Sequence, residues 1–439
     1  MPAPLMQIET ARDVPATADA VVIGGGIVGV STAYYLARRG LSVTLVEKGR
    51  IGAEQSSRNW GWCRQQNRDA RELPMATRSL ALWDSLAGEI GEDAGFRRTG
   101  LLYLSNDEAE IAGWARWRDF AATQGVTTHM LSAAEAADRG RATGKPWKGG
   151  VFSPTDGIAD PERAAPIIAR GIAKFGGTVH QFCAARGLEL AGGRVAGVVT
   201  EAGTIKTSIV VLAGGAWASS FCHQLGIRFP QASVRSSILA VAPGGEGPDA
   251  LHTANVSVTR RGDGGYTLAV SGNARVDPTP QQLRFARYFL PMFAKRFRVL
   301  APGGLEGWRS GHEALARWSL DQPTPMEGMR ILDPKPDSKM VAETLARARR
   351  LLPSLAQVPV TAQWAGYIDS TPDGVPAIGE TNIPGFILAA GFSGHGFGIG
   401  PGAGHLIADI VTGAPPIVDP SPYRPQRLDR SAWGRVSDF

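Results

Sequence analysis

After an irregular opening, residues 1–18, the chain settles into regular patterns of apolar and polar positions. Ala20-Val-Val-Ile23 is a short unbroken apolar run, preceded by Asp19. Val30 to Arg39 places Val30, Ala33, Tyr34 and Ala37 at helical spacing, Gly40 is a natural helix stop, and Leu41 to Val46 is a second apolar run ending at Glu47. This predicts a strand, a helix and a strand. Pro74 to Leu86 reads as a helix, Gly100 to Leu104 as a strand, and Asp107 to Gly125 as a polar helix. A helix over Arg163 to Phe175 precedes a strand over Thr178 to Cys183. Leu188-Glu-Leu190 and Val195 to Val199 flank a hairpin turn at Gly192-Gly193. Ile209-Val-Val-Leu-Ala213 runs into Gly214-Gly215, with a helix beginning near Trp217. Residues 230–350 are mixed, with strands expected around Val234 to Val241 and Tyr266 to Val270 and helices over Gln281 to Arg296 and Met340 to Leu352. The Gly-rich block Trp364 to Gly413 returns to a strand, Gly385 to Ala389, then a glycine loop and a helix over Ala403 to Val411. No internal repeat interrupts this order.

The first unit carries chemistry. Gly24-x-Gly26-x-x-Gly29 lies between the first predicted strand and helix, and Glu47 ends the second strand 18 residues after Gly29. Gly24 permits the tight turn, Gly26 lets the backbone approach a pyrophosphate, and Gly29 lets helix and strand pack closely. The helix N-terminus offers free N–H groups and partial positive charge to phosphates. Glu47 can accept both ribose hydroxyls of an adenosine. The full context predicts an ADP-containing dinucleotide without saying which. The fingerprint opens the chain, whereas the strand before Gly214-Gly215 and the last glycine loop return much later. A nucleotide domain interrupted in this way favours FAD over NAD.

Composition narrows the class. The chain has 439 residues, 43% of them apolar and 20% charged, enough for a large core and more than one domain. Its three cysteines (Cys63, Cys183, Cys222) fit neither a disulfide framework nor a zinc site, so no metal is expected. No run of about 18 apolar residues and no basic-then-apolar leader appears, which leads us to expect a cytoplasmic enzyme. The formal charge is +6, but basic residues are scattered. The densest stretch, Arg284 to Arg298, is interleaved with Phe285, Phe289, Leu290 and Phe293. It reads first as a solvated amphipathic face, with peripheral membrane or second-subunit contact left open. Nothing clusters as a nucleic-acid footprint.

Several stretches resemble the D-amino acid oxidase superfamily of FAD-dependent oxidoreductases, which includes glycine oxidase, sarcosine oxidase and D-amino acid dehydrogenases. They are Ala20 to Gly40 with Val43 to Lys48, Asp156-Gly-Ile-Ala-Asp-Pro161, Val210 to Trp217, Thr371-Pro-Asp-Gly-Val-Pro-Ala-Ile-Gly379, and Ala389-Ala-Gly-Phe-Ser-Gly-His-Gly-Phe397. They occur in the family's order and cover nearly the whole chain. The resemblance implies an α/β fold with a Rossmann-like FAD-binding domain built from discontinuous segments (19–82, 152–228 and 355–425). A mixed-sheet substrate domain would take 83–151 and 229–354, leaving 1–18 and 426–439 as tails. Non-covalent FAD would be met by Gly24, Gly26, Ile27, Val28, Gly29, Glu47, Lys48, Ser57, Arg58, Asn59, Gly61, Trp62, Gly214, Gly215, Trp217, Gly394, His395, Gly396, Phe397 and Gly398. The helix after the last glycine loop would point its N-terminus at the flavin's pyrimidine edge.

The expected reaction is oxidation of a C–N bond in an amino acid or secondary amine by hydride transfer to flavin N5, then imine hydrolysis. O₂ or a quinone-type acceptor would take the electrons. Arg64 is the lead anchor for a substrate carboxylate and Arg309 the reserve; His395 and Tyr367 complete the expected active site. Arg235, Tyr266, Trp308 and His312 are further pocket candidates. Cys63 is read as a packing residue. Three departures stand out. Where glycine oxidase-like relatives carry an arginine after Trp-Ala-Gly, this chain has Ile368. No cysteine lies between Trp364 and Thr371, so the sarcosine oxidase type of covalent flavin link is excluded. Where those oxidases place a lysine over the flavin, the alignment puts Thr267, which tilts toward a dehydrogenase. The alternatives are a 2-hydroxy acid dehydrogenase and, remotely, a basic flavoprotein acting on nucleic acid.

Overall fold

The computed structural model describes residues 3–270, 274–305, 307–308 and 317–437; Arg309 and His312 lie outside them. Two sheets organise the fold. The first has six strands, in spatial order Ala377–Glu380, Phe386–Ala390, Val210–Leu212, Ala20–Ile23, Val43–Val46 and Thr178–His180. All pairings are parallel except that of Ala377–Glu380 with Phe386–Ala390. Its strands come from three stretches far apart in sequence, and the fingerprint strand is central. A central parallel strand is covered on both faces, which is why Ala20-Val-Val-Ile reads as continuous apolar rather than alternating. Strand order reverses beside Ala20–Ile23, between its neighbours Val43–Val46 and Val210–Leu212, where α/β sheets open a crevice for ligands.

The second sheet has ten strands. Its path runs Leu300–Pro302, Ala274–Val276, Ala232–Val241, Tyr266–Ala269, Ser257–Arg260, Ala250–His252, Leu101–Ser105, Gly149–Ser153 and His129–Leu131, with Val360–Ser370 paired to Ala232–Val241. The chain crosses back to the nucleotide sheet twice, first at Thr178–His180 and finally after Ser370. Thr267 is buried in this sheet between Ala240 and Thr259.

Helix Ile27–Arg38 follows the fingerprint turn and is buried along nearly its whole length. It packs on helix Gly396–Thr412, which packs in turn on helix Leu73–Ile90. The glycine-rich helix starts at Gly396, seven residues before the expected Ala403. Glycine and Pro401 disfavour helix in isolation, but tertiary packing demands them. A Cβ on Gly404 would come within 2.5 Å of Ser31, and one on Gly398 within 2.8 Å of the Trp62 carbonyl oxygen. Near Pro401 the ladder is completed from outside: Ser79 Oγ donates to the Gly398 carbonyl (2.8 Å) and accepts from Gly402 N–H (3.1 Å), while Trp83 Nε1 also donates to Gly398 (2.9 Å).

In helix Pro280–Arg296, Leu283, Leu290 and Phe293 are exposed, while Phe285 is buried. Among the described residues, no helix is long and apolar enough to cross a membrane, and no group of three or more acidic, His or Cys side chains could hold a metal ion.

Candidate active site

Two adjoining cavities form one cleft across the fingerprint turn, sharing Gly26, Gln55, Ser56, Ala213 and Gly215 as walls. The narrower end, about 100 Å³, is lined by Gly24, Glu47, Lys48, Gly214 and Trp217 among others. The wider end, about 510 Å³, reaches Arg64, Tyr367 and the glycine loop Gly394 to Phe397.

Two of the three fingerprint glycines, Gly24 and Gly29, are sterically required. Gly24 has φ +107°, and a Cβ there would lie 2.4 Å from the Ala213 carbonyl oxygen; on Gly29 it would lie 1.9 Å from that of Gly24. At Gly26 a Cβ would meet only Ser56 Oγ at 3.3 Å, and this residue faces the cleft. Glu47 is fixed by the turn itself: its two oxygens accept from Gly25 N–H (2.7 Å) and Gly49 N–H (2.6 Å). Burial pushes its carboxyl above the ordinary value, against the pull of Lys48 and those two N–H groups. An open glycine backbone with a fixed carboxylate at the end of the neighbouring strand fits the pyrophosphate and ribose of FAD.

Other expected contacts divide. Ile27, Val28, Arg58, Asn59 and Trp62 line the wide end, and Gly214, Gly215 and Trp217 lie along the narrow one. Lys48 lines the narrow end, but its ammonium is ion-paired to Glu54 and lies 4.6 Å over the Trp217 ring. Arg58 also lines the cleft with its guanidinium engaged, by Asp333 and the carbonyls of Ala53 and Ala365. Ser57, Gly29, Gly61 and Gly398 stand behind the walls: Ser57 is buried against Glu54, and a Cβ on Gly61 would sit 2.3 Å from the Ala159 carbonyl oxygen. The serine at the cleft is its neighbour Ser56, whose Oγ accepts from Ile27 N–H at 2.8 Å. The sequence reading names Ser57 rather than Ser56; a short 3₁₀ turn, Gln55–Ser57, which local spacing does not reveal, decides which of the two faces inward.

Arg64 sits at the wide end, with one N–H to the Gln66 carbonyl. A second arginine, missed from sequence, joins it. Arg68 is 2% exposed, and its Nη1 has no hydrogen-bond partner. Burial and the nearby Arg64 lower its pKa to about 10. Neither guanidinium forms an ion pair among the described residues. The turn between them is shaped by Asn67 at φ +58° and by buried Asp156, which accepts from Gln65 N–H (2.7 Å) and Gln66 N–H (3.1 Å). Burial raises the Asp156 carboxyl to about 6 despite these bonds. Around the arginines lie Trp60, Trp62, Tyr103 and His252, with Ile238, Ile368 and Phe392. His252 is pulled to about 4 by burial and by Arg64, so it is neutral at pH 7. The one acidic residue of the lining among the described residues, Asp369, is bonded to Gln231 (2.7 Å) and Gly391 N–H (2.8 Å). The wide end is thus apolar and aromatic with a net cationic wall.

Tyr367 lines this end and donates to Asp277 (3.2 Å). Two other candidates are elsewhere. Arg235 is locked to Asp277 by bonds of 2.8 and 3.1 Å, and Tyr266 is core, its hydroxyl on the Gly247 carbonyl (2.9 Å). Trp308 is exposed. Cys63 is fully buried, and burial pushes its thiol well up, so it is a packing residue.

The sequence profile of the FAD dependent oxidoreductase family matches residues 19–410. A glycine oxidase of Pseudomonas aeruginosa is 28% identical, over 92% of this chain and 98% of its own. Human mitochondrial sarcosine dehydrogenase is 26% identical over 96% of this chain but only 42% of its own length. Among solved structures, the L-amino acid deaminase of Proteus myxofaciens, in complex with anthranilate, superposes with a TM-score of 0.92. It is 28% identical, covering 98% of this chain and 97% of that one.

Proposed function

The chain belongs to the FAD-dependent oxidoreductase family, and from that premise we propose that it oxidises α-amino acids with apolar side chains at the C–N bond. FAD-dependent oxidation of an amino acid or amine is the activity of its relatives, and FAD is its cofactor. When bound, FAD supplies the two-electron acceptor. The chain's own residues do the rest. Gly24, Gly26, Gly214 and Gly215 cradle the nucleotide, Glu47 holds its ribose, and Arg64 with Arg68 binds the substrate carboxylate. Trp60, Trp62, Ile238, Ile368 and Phe392 surround the side chain and exclude water. Holding the substrate in one orientation supplies much of the rate, so no strong general base is required. The imine product leaves for hydrolysis.

The observation that carries this reading is half-buried Arg64 beside buried Arg68, neither in an ion pair among the described residues and Arg68 Nη1 without a hydrogen-bond partner, at the end of the glycine cradle. It supports a monocarboxylate as the missing partner and stands in for the arginine that Ile368 replaces. The test is anaerobic reduction of the purified yellow protein with a panel of L- and D-amino acids, N-methyl amino acids and 2-hydroxy acids. We expect an apolar amino acid to bleach the flavin. Bleaching by hydroxy acids alone would overturn the amine reading. Repeating the productive reaction with and without air assigns the acceptor.

A further inference from the structure

The glycine-loop histidine is held from behind by a buried carboxylate. His395 Nδ1 lies 3.0 and 3.2 Å from the two oxygens of Glu72, which is fully buried. Glu72 occupies the N-cap position of helix Leu73–Ile90 yet makes no side-chain cap to it. His395 occupies the N-cap position of helix Gly396–Thr412. One contact therefore ties two helix N-termini together at the cavity wall, where both dipoles favour an anion. Burial alone would raise the Glu72 carboxyl, but His395 and Arg68 hold it below its ordinary value, so it is ionised.

An ionised carboxylate only accepts hydrogen bonds, so Nδ1 must carry the hydrogen. The imidazole itself is neutral at pH 7, because burial and Arg68 pull its pKa to about 4. In a neutral ring with Nδ1–H, the lone pair belongs to Nε2. Nε2 has no hydrogen-bond partner among the described residues, and the ring lines the cavity that holds Arg64 and Arg68.

We propose that Glu72 is a positioning residue that fixes His395 as an acceptor, so that Nε2 receives an N–H of the substrate's amine while the arginines hold its carboxylate. This rests on the amine reading above. The two poles of an α-amino acid are then sorted by chemistry: a lone pair takes the nitrogen end and cations take the carboxylate end.

The test uses the flavin-loaded enzyme. Glu72→Met removes the acceptor for Nδ1–H; Glu72→Gln keeps a neutral one. We expect Glu72→Met to raise KM for the best amino acid by about tenfold or more, with Glu72→Gln in between. The Kd of benzoate, a carboxylate without an amine, read from the visible flavin band, should change by less than about twofold. Nitrogen-15 NMR, with the His395 signal assigned against His395→Asn, should show unprotonated Nε2 in the wild type and a tautomer mixture in Glu72→Met. Equal weakening of benzoate and amino acid, an unchanged KM, or a protonated Nε2 in the wild type would overturn the proposal. Should Glu72→Met not fold, the wild-type tautomer and Glu72→Gln still decide it. A wild-type flavin that benzoate perturbs but no amine reduces signals failure of the amine reading instead.

Discussion

Arg64 and Arg68 are brought to one cavity by three intervening residues, of which Asn67 takes a left-handed conformation that few side chains tolerate. Arg68 keeps a buried Nη1 with no hydrogen-bond partner, an expense that is recovered when an anion arrives. Arg64→Ala should therefore raise KM for the amino acid at least about tenfold, about 1.4 kcal/mol of lost transition-state binding, with little change in Tm. Steady-state kinetics check it, and an unchanged KM and kcat would remove Arg64 from the anchoring role. The fingerprint glycines should differ from one another. Gly29→Ala places a methyl 1.9 Å from the Gly24 carbonyl oxygen and should impair folding itself. Gly26→Ala meets only the Ser56 hydroxyl at 3.3 Å and projects into the cleft. It should fold, yet bind FAD at least about tenfold more weakly, about 1.4 kcal/mol. Thermal denaturation of the apoprotein and flavin titration separate the two effects.

At the scale of elements, helix Gly396–Thr412 depends on its neighbours more than on its own sequence. Ser79 completes its ladder beside Pro401 by donating to Gly398 and accepting from Gly402. Ser79→Ala removes both of these buried bonds and should cost about 1–3 kcal/mol in urea denaturation. Because Phe397 and Gly396 line the cavity at the start of this helix, the same change should weaken benzoate binding. These elements were unevenly legible. Asp107 to Gly125 was recognisable because its N-cap is local: Asp107 accepts from Ala109 N–H at the start of helix Glu108–Thr123. The first turns of the glycine-rich helix were not, since nothing within Gly396 to Gly402 favours helix until the fingerprint helix packs against it. Strand Val360–Ser370 was missed for a similar reason. Its register against Ala232–Val241 is long-range, and its local pattern of Trp364, Ala365, Gly366 and Tyr367 does not alternate.

At the scale of the molecule, buried titratable groups in the cleft couple stability to pH. His252 and His395 have folded pKa values pulled to about 4, so their contribution is present above the unfolded value near 6.5 and is lost as pH falls toward 4. Asp156 runs the other way: raised to about 6, its contribution is present at low pH and is lost as pH rises from about 4 to about 6. Two histidines outweigh one carboxyl, so denaturation midpoints should fall between pH 7 and pH 5. Each histidine accounts for on the order of 2 kcal/mol. His252→Gln should make that fall shallower, and urea titrations at the two pH values check it. On what was readable, the chain itself determined the FAD fingerprint, the spacing to Glu47 and the glycine loop, because phosphate cradles and tight turns demand particular residues at fixed short separations. It also singled out Arg64 and His395 as cavity candidates, and the folded protein brings both to the wide end. Only the tertiary structure decided that Arg68 joins Arg64, that Glu72 backs His395, that Ser56 rather than Ser57 meets the cleft, and that Arg235 is paired to Asp277. Each of these depends on which side chains lose water and which partners arrive from distant segments, and neither is encoded in local spacing.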